Sequence, residues 1–379
     1  MTTINFLRGV PAEEALVPVA EAFAREYANV LQTLGPDVIQ YQRPGVADFN
    51  GFVPLKKTLA KRFGVQGDAQ NRVICTNGGM ESFSLLIKSY PRVCRIATDA
   101  MTYDRVLSDI STQGHQAVGV AMTEEGVDLE KLEETLKQGG IQIFYQVAYH
   151  HNPTGISTTY ENLEAAAQIC ASHGVLHCLD VAYYELRYDG GKNRLVDLDR
   201  YPETSCLVGS FTKTLSPGAK CGFGIFPEAI VKRMTPVVAD TRLNPNYPTQ
   251  AAINQLFETG FYDRHLDFLT ELYRPRMDAM NDGIQSFLSD VGAPRLTGGF
   301  FQGLWLTGLP EEKAFLDSLK SKGVLLAPAN VFAPGWKDRL YGEHAGVFFR
   351  LTFPALTVEE NSRGIELIAE TYKELRQPE

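Results

Sequence analysis

The sequence predicts an α/β protein with a mainly parallel sheet covered by helices on both faces, joined to a smaller α+β domain. Three observations lead there. Between about residues 50 and 235, short runs rich in β-branched and aromatic residues alternate with amphipathic stretches, the signature of parallel strands linked by helices. Past about residue 250 that alternation becomes sparse and irregular, as in an α+β unit. A chain of 379 residues is also long for one core and suits two closely packed domains.

Seven runs account for a seven-stranded sheet: RVICT (72–76), RVCRIA (92–97), QAVGVAM (116–122), IQIFYQVAY (141–149), VLHCLDVA (175–182), SCLVGSF (205–211) and GFGIFP (222–227). Helical patterns between them include 80–89, 129–137 and 161–172. Beyond a Pro- and Asn-rich connector at 244–248 come a long amphipathic helix over 262–289, a helix near 311–322, the strand-like VFFRLTF and a last helix over 357–376. The boundaries implied are an N-terminal arm with part of the small domain at 1–40, a large domain at 41–250 and a small C-terminal domain at 251–379.

Composition narrows the function. With 44% hydrophobic and 21% charged residues the chain can bury a large interior. Its 36 Lys and Arg against 45 Asp and Glu leave a net charge of −9 and no basic run, which argues against nucleic-acid binding. No apolar stretch approaches the roughly 20 residues that span a bilayer, and the start lacks a basic-then-apolar leader, so no membrane partner is expected. Six cysteines without a CxxC pair, mostly inside apolar runs, suit a reducing cytoplasm. His173 and His177 are four apart, but Gly174 places a helix end between them, so the rings do not share a helical face and no metal site is expected.

Ligands of parallel α/β folds gather at the carboxyl ends of strands, and the informative motifs fall there. Thr76-Asn77-Gly78-Gly79-Met80-Glu81 reads as strand, glycine turn and helix start, a shape that can turn N–H groups toward an anion but is also an ordinary βα loop. His151-Asn152-Pro153-Thr154-Gly155 follows an apolar strand, either as a plain turn or as a loop offering the Asn152 amide. Asp180 ends VLHCLD, where a carboxylate needs a cation or donor unless it merely caps the next turn. In SFTKTLSPGAKCGFG, Lys213 lies among hydroxyls and glycine between two strands; a buried or cation-flanked lysine has a lowered pKa and becomes a usable amine.

Taken together, the glycine turn, NPTG, DxxY, SxxK and the late RLTF resemble the fold-type I pyridoxal-phosphate enzymes, in particular the class I/II aminotransferases. The likeness runs from Gly9-Val10-Pro11 to Phe353 and is nearest to the branch holding 2-aminoadipate and kynurenine aminotransferases and the aminotransferase-like domain of MocR regulators. The resemblance implies pyridoxal 5'-phosphate as cofactor, with Lys213 forming the internal aldimine and acting as base, Asp180 pairing with the pyridine nitrogen, and Asn152 and Tyr183 meeting the phenolic oxygen. It further implies Tyr103 stacking on the ring, with Gly79, Met80, Ser210, Thr212 and Lys220 holding the phosphate. Tyr41 would reach the phosphate of the other subunit, so a homodimer with shared active sites is implied. Arg350 would grip the substrate α-carboxylate, for which a guanidinium suits better than an ammonium, and Gly9 would close over the substrate.

Ping-pong transfer of an amino group between an α-amino acid and a 2-oxo acid is the activity that follows. A β-lyase or other specialised enzyme on the same scaffold, and a ligand-sensing regulator, are the alternatives. The pattern begins within the first dozen residues, which is read as leaving no room for a DNA-binding domain ahead of it. Two departures from the family stand out: Lys220 where arginine is usual, and Gly79-Met80 in place of hydroxyl or amide side chains, which together imply weaker cofactor retention. The lead Tyr149-His150-His151, in place of a proline-containing one, implies an altered pocket rim.

Overall fold

Each of the seven apolar runs becomes one strand of a single sheet in the computed structural model, which describes residues 3–309, 311–332 and 346–376. The strands are β1 (Val73–Thr76), β2 (Arg95–Asp99), β3 (Gln116–Val120), β4 (Ile141–Val147), β5 (Leu176–Asp180), β6 (Ser205–Ser210) and β7 (Gly222–Ile225). Their order across the sheet is β1-β7-β6-β5-β4-β2-β3, and only β7 runs against its neighbours. That reversal matters for the site. It pairs Gly222 with both Ser210 and Thr76, so the segment entering β7 lies beside the carboxyl ends of β1 and β6.

Both faces of the sheet are covered, which is why its strands read as continuous apolar runs rather than alternating ones. Helices α1 (Glu13–Thr33), α2 (Gly79–Lys88), α3 (Asp104–Thr112), α4 (Tyr160–Ser172), α5 (Glu228–Arg242) and α6 (Tyr247–Glu258) supply the cover. Cys75, Leu179, Leu207 and Phe223 pack with α1 and α6 on one side. Ile74, Tyr145, Cys178 and Val208 pack with α2, α3 and α5 on the other, and α4 covers Ala97 and Phe144. Each large apolar side chain so buried contributes roughly 1.5–3 kcal/mol.

The connector at 244–248 does not lead out of this unit. Asn246 caps α6 by accepting from the Thr249 N–H, and α6 returns to the sheet through Tyr247, Ala251, Ile253 and Leu256. The chain leaves only at Gly260, whose φ of 68° opens α7 (Phe261–Phe287). With α8 (Glu312–Ser321) and α9 (Val358–Leu375), α7 packs against an antiparallel sheet in which β10 (Val347–Thr352) lies between β8 (Phe301–Leu306) and β9 (Ala327–Pro328). The N-terminal strand Ile4–Asn5 pairs in parallel with Val324–Leu325, and Phe6, Ala12 and Ala15 join the same apolar cluster. Residues 7–9 thereby reach the carboxyl edge of the large sheet, where the Leu7 carbonyl accepts from Arg350 and the Gly9 carbonyl from Lys213.

Candidate active site

A cavity of about 430 Å³ opens at the carboxyl edge of the large sheet, facing the small one. Its first wall comes from the turn after β1. Gly78 sits at φ 144°, and α2 starts at Gly79. The Gly79 and Met80 N–H groups precede the first bonded donor, Glu81, whose N–H meets the Gly78 carbonyl, and they suit an anion. Backbone approaches closely here: a Cβ on Gly222 would lie 2.5 Å from the Gly78 Cα, so bare main chain forms the cup. Glu81 braces it, accepting from the Asn77 N–H at 2.6 Å and from Arg242 Nη1 at 3.1 Å.

Opposite the cup, β6 ends in Ser210, whose hydroxyl donates to Thr212 Oγ1 at 2.7 Å and accepts from the Thr212 N–H at 3.2 Å. Lys213 follows. Its amine donates to the Gly9 carbonyl at 2.7 Å and lies 5.9 Å from the Tyr183 ring centre. Burial, then the Arg350 guanidinium, pull its pKa from 10.5 down to about 8, with Asp180 opposing. Asp180 closes β5. Its Oδ1 accepts from the Ala182 N–H at 2.9 Å and its Oδ2 from the Tyr145 hydroxyl at 2.5 Å; burial raises its pKa while these donors lower it.

The small sheet contributes Arg350 from the middle of β10. It donates to Asn152 Oδ1 at 3.1 Å and to the Leu7 carbonyl at 2.8 Å, and lies 4.8 Å from the Phe301 ring and 4.6 Å from that of Phe332. Among the described residues its Nε is buried with no hydrogen-bond partner, an unmet donor beside the cavity. Burial lowers its pKa, although a guanidinium remains charged throughout the working range. Gly9 lies so close to Phe301 that a Cβ would meet its Cε1 at 2.7 Å.

Of the residues read from sequence, Gly9, Gly79, Met80, Tyr103, Asn152, Asp180, Tyr183, Ser210, Thr212, Lys213, Lys220 and Arg350 all line this cavity. Tyr41 does not; it is 66% exposed on the outside of the chain. Nor does the Tyr149-His150-His151 lead line the cavity. His150 and His151 are buried and reach the site only through their neighbours in the loop. His151 accepts at Nδ1 from the Thr154 N–H and faces Asp99 Oδ2 with Nε2 at 3.2 Å, while His150 engages Ser157 and Asn193. Burial brings the His150 pKa down to about 3, so it stays neutral.

Sequence reasoning missed Asp104 and Arg105, which line the cavity from the start of α3, and Tyr145 beneath Asp180. The first two directly follow Tyr103 and were within reach of the motif. Tyr145 carried no local signal, because its partner lies on another strand.

Comparison with known proteins agrees with the geometry. The family model "Aminotransferase class I and II" matches residues 20–368. Aromatic-amino-acid aminotransferase 1 of Thermococcus litoralis is 26% identical, covering 98% of this chain and 88% of the relative. The 2-aminoadipate transaminase of Thermus thermophilus is 27% identical, covering 98% and 90%. The crystal structure of kynurenine aminotransferase from Pyrococcus horikoshii superposes with a TM-score of 0.88 at 24% identity, over 99% of this chain and 91% of that one, a likeness of fold. With the family's model spanning nearly the whole chain and the fold matching in full, this protein belongs to the class I and II aminotransferases.

Proposed function

We propose that the protein moves an amino group between an α-amino acid and a 2-oxo acid, using pyridoxal 5'-phosphate. The observation that carries this reading is Lys213, an amine with its pKa brought to about 8 in a cavity that also holds a carboxylate and a guanidinium. The donor set fits the cofactor: a backbone cup and two hydroxyls for a phosphate, an acid for a ring nitrogen, and an amine for an aldehyde. When bound, the cofactor supplies an aldehyde that condenses with amines and a ring that takes up electrons from the substrate Cα.

The chain's own residues do the rest. Asp180 would hold the proton on the ring nitrogen, and Tyr103 would cover the ring face. Asn152, whose Oδ1 is taken by Arg350, keeps its Nδ2 donors for the phenolic oxygen, as Tyr183 does its hydroxyl. Gly79, Met80, Ser210, Thr212 and Lys220 would hold the phosphate. Arg350 fixes the plane of the substrate carboxylate through parallel N–H bonds and so orients the Cα–H bond. Lys213 takes the Cα proton and later returns it, which requires a neutral amine; a pKa near 8 provides one close to neutral pH. Gly9 closes over the site and keeps water out. The second 2-oxo acid meets the same groups in reverse order, so kinetics are ping-pong.

We further assign Tyr41 to the phosphate of a partner subunit in a homodimer, a reading supported by its exposure together with that of neighbouring Ile39. The proposed division is 1–40, 41–250 and 251–379, with α6 astride the second boundary and packed on the sheet. A cytoplasmic location is supported by six cysteines that are all buried free thiols; among the described residues no helix is long and apolar enough to cross a membrane.

The test is to add pyridoxal 5'-phosphate to purified protein, then single amino acids, and follow the cofactor's visible absorption. Loss of the band with certain amino acids, and its return with a 2-oxo acid, is the expected result. Release of ammonia without need of an acceptor would instead make it a lyase.

A further inference from the structure

We propose that Tyr145 is a positioning residue for Asp180, fixing the orientation and charge of the carboxylate so that a ring nitrogen bound there stays protonated. This rests on the reading of Asp180 given above. The sheet register creates the pair: Cys178 lies opposite Tyr145 and Asp180 opposite Val147, so Tyr145 and Asp180 are diagonal neighbours on one face. A long side chain such as a phenol spans such a diagonal, and the Tyr145 hydroxyl reaches the Asp180 carboxylate.

The hydroxyl donates to Asp180 Oδ2 at 2.5 Å while the Ala182 N–H donates to Oδ1 at 2.9 Å. Both oxygens are thus fixed, and each retains a lone pair for the cavity. Tyr145 is fully buried, its ring held edge-on by Phe83 of α2 at 4.9 Å, and it does not line the cavity, so it acts through Asp180 alone. The charged and titratable groups around Asp180 are Cys178 on its own strand, Tyr145 and His151 from β4 and the turn after it with Asp99 of β2 behind them, Lys213 after β6, and Tyr103 and Tyr183 at the cavity wall. Desolvation favours a neutral Asp180, and the Tyr145 bond leads the influences that keep it charged. Tyr145 itself is pushed well above the ordinary phenol range by burial, so it remains a donor at every working pH.

Tyr145→Phe keeps the ring and deletes the hydroxyl. We expect a folded protein whose affinity for pyridoxal 5'-phosphate, titrated on the cofactor-free form, falls roughly tenfold at neutral pH. The acid limb of both affinity and kcat should move up by about one pH unit, because Asp180 then protonates sooner. Affinity for a cofactor analogue with carbon in place of the ring nitrogen should not change. In an Asp180→Asn background the same deletion should have no further effect on cofactor affinity, which guards against a purely structural loss. An unmoved acid limb, or equal loss of both ligands, would overturn the proposal. If the unaltered protein binds the analogue and the cofactor equally or not at all, the reading of Asp180 itself fails.

Discussion

Lys213 is protonated in water and must be neutral to work, and the fold reconciles the two by desolvating it beside Arg350. Replacing it with alanine should lower turnover by roughly 10³-fold or more, measured with any accepted amino donor. A second consequence is thermodynamic. The folded-state pKa of about 8 lies below the ordinary 10.5, so between those values the unfolded chain binds more protons than the folded one. Stability of the cofactor-free protein should therefore rise with pH across that window, by at most about 3 kcal/mol. Thermal melts from pH 8 to 10.5 read this rise, and in Lys213→Met it should be smaller. Arg350→Lys retains the charge but not the fork that bonds Asn152 and the Leu7 carbonyl. A loss of about 2 kcal/mol, roughly thirtyfold in kcat/KM, is expected, with little change in melting temperature.

Strand ends do at the scale of elements what single residues cannot. β1, β2, β4, β5 and β6 all end at this edge, and antiparallel β7 brings Lys220 to it, so six separate segments of the large sheet deliver groups to one cavity. The N-terminal segment joins them, tied down by Lys213 at the Gly9 carbonyl and by Thr352 at the Arg8 carbonyl. Gly9→Ala should force that segment off Phe301, because its Cβ would lie 2.7 Å from the ring. Steady-state assays should show a lower kcat/KM, while melting shifts little because the segment is short. A contrast is α9, where Thr357 and Glu360 form a reciprocal cap far from the cavity. Thr357→Ala should cost about 1 kcal/mol in denaturant unfolding and leave kcat unchanged.

At the scale of the whole molecule, the exposed Tyr41 is the residue that one chain leaves outside its own cavity. If it serves a partner's phosphate, mixing Tyr41→Ala with Lys213→Ala should restore activity that neither shows alone. Random exchange makes half of the dimers hybrids with one intact site each, so recovery toward about one quarter of the unaltered activity is expected. Recovery no greater than the sum of the two variants would place Tyr41 outside the site.

The residues that announce themselves in sequence are those whose chemistry is set within a few positions: Lys213 between hydroxyls, Asp180 ending an apolar strand, Asn152 in its turn, and the seven runs that became the seven strands. Their signals are local because strand propensity, turn geometry and helix starts depend on adjacent residues. Strand order, the reversal of β7, Tyr145 under Asp180, the burial of His150 and His151, and Gly9 against Phe301 were decided only by the tertiary structure. Each depends on which distant segments become neighbours, and that is fixed by how the apolar faces of the whole chain pack together.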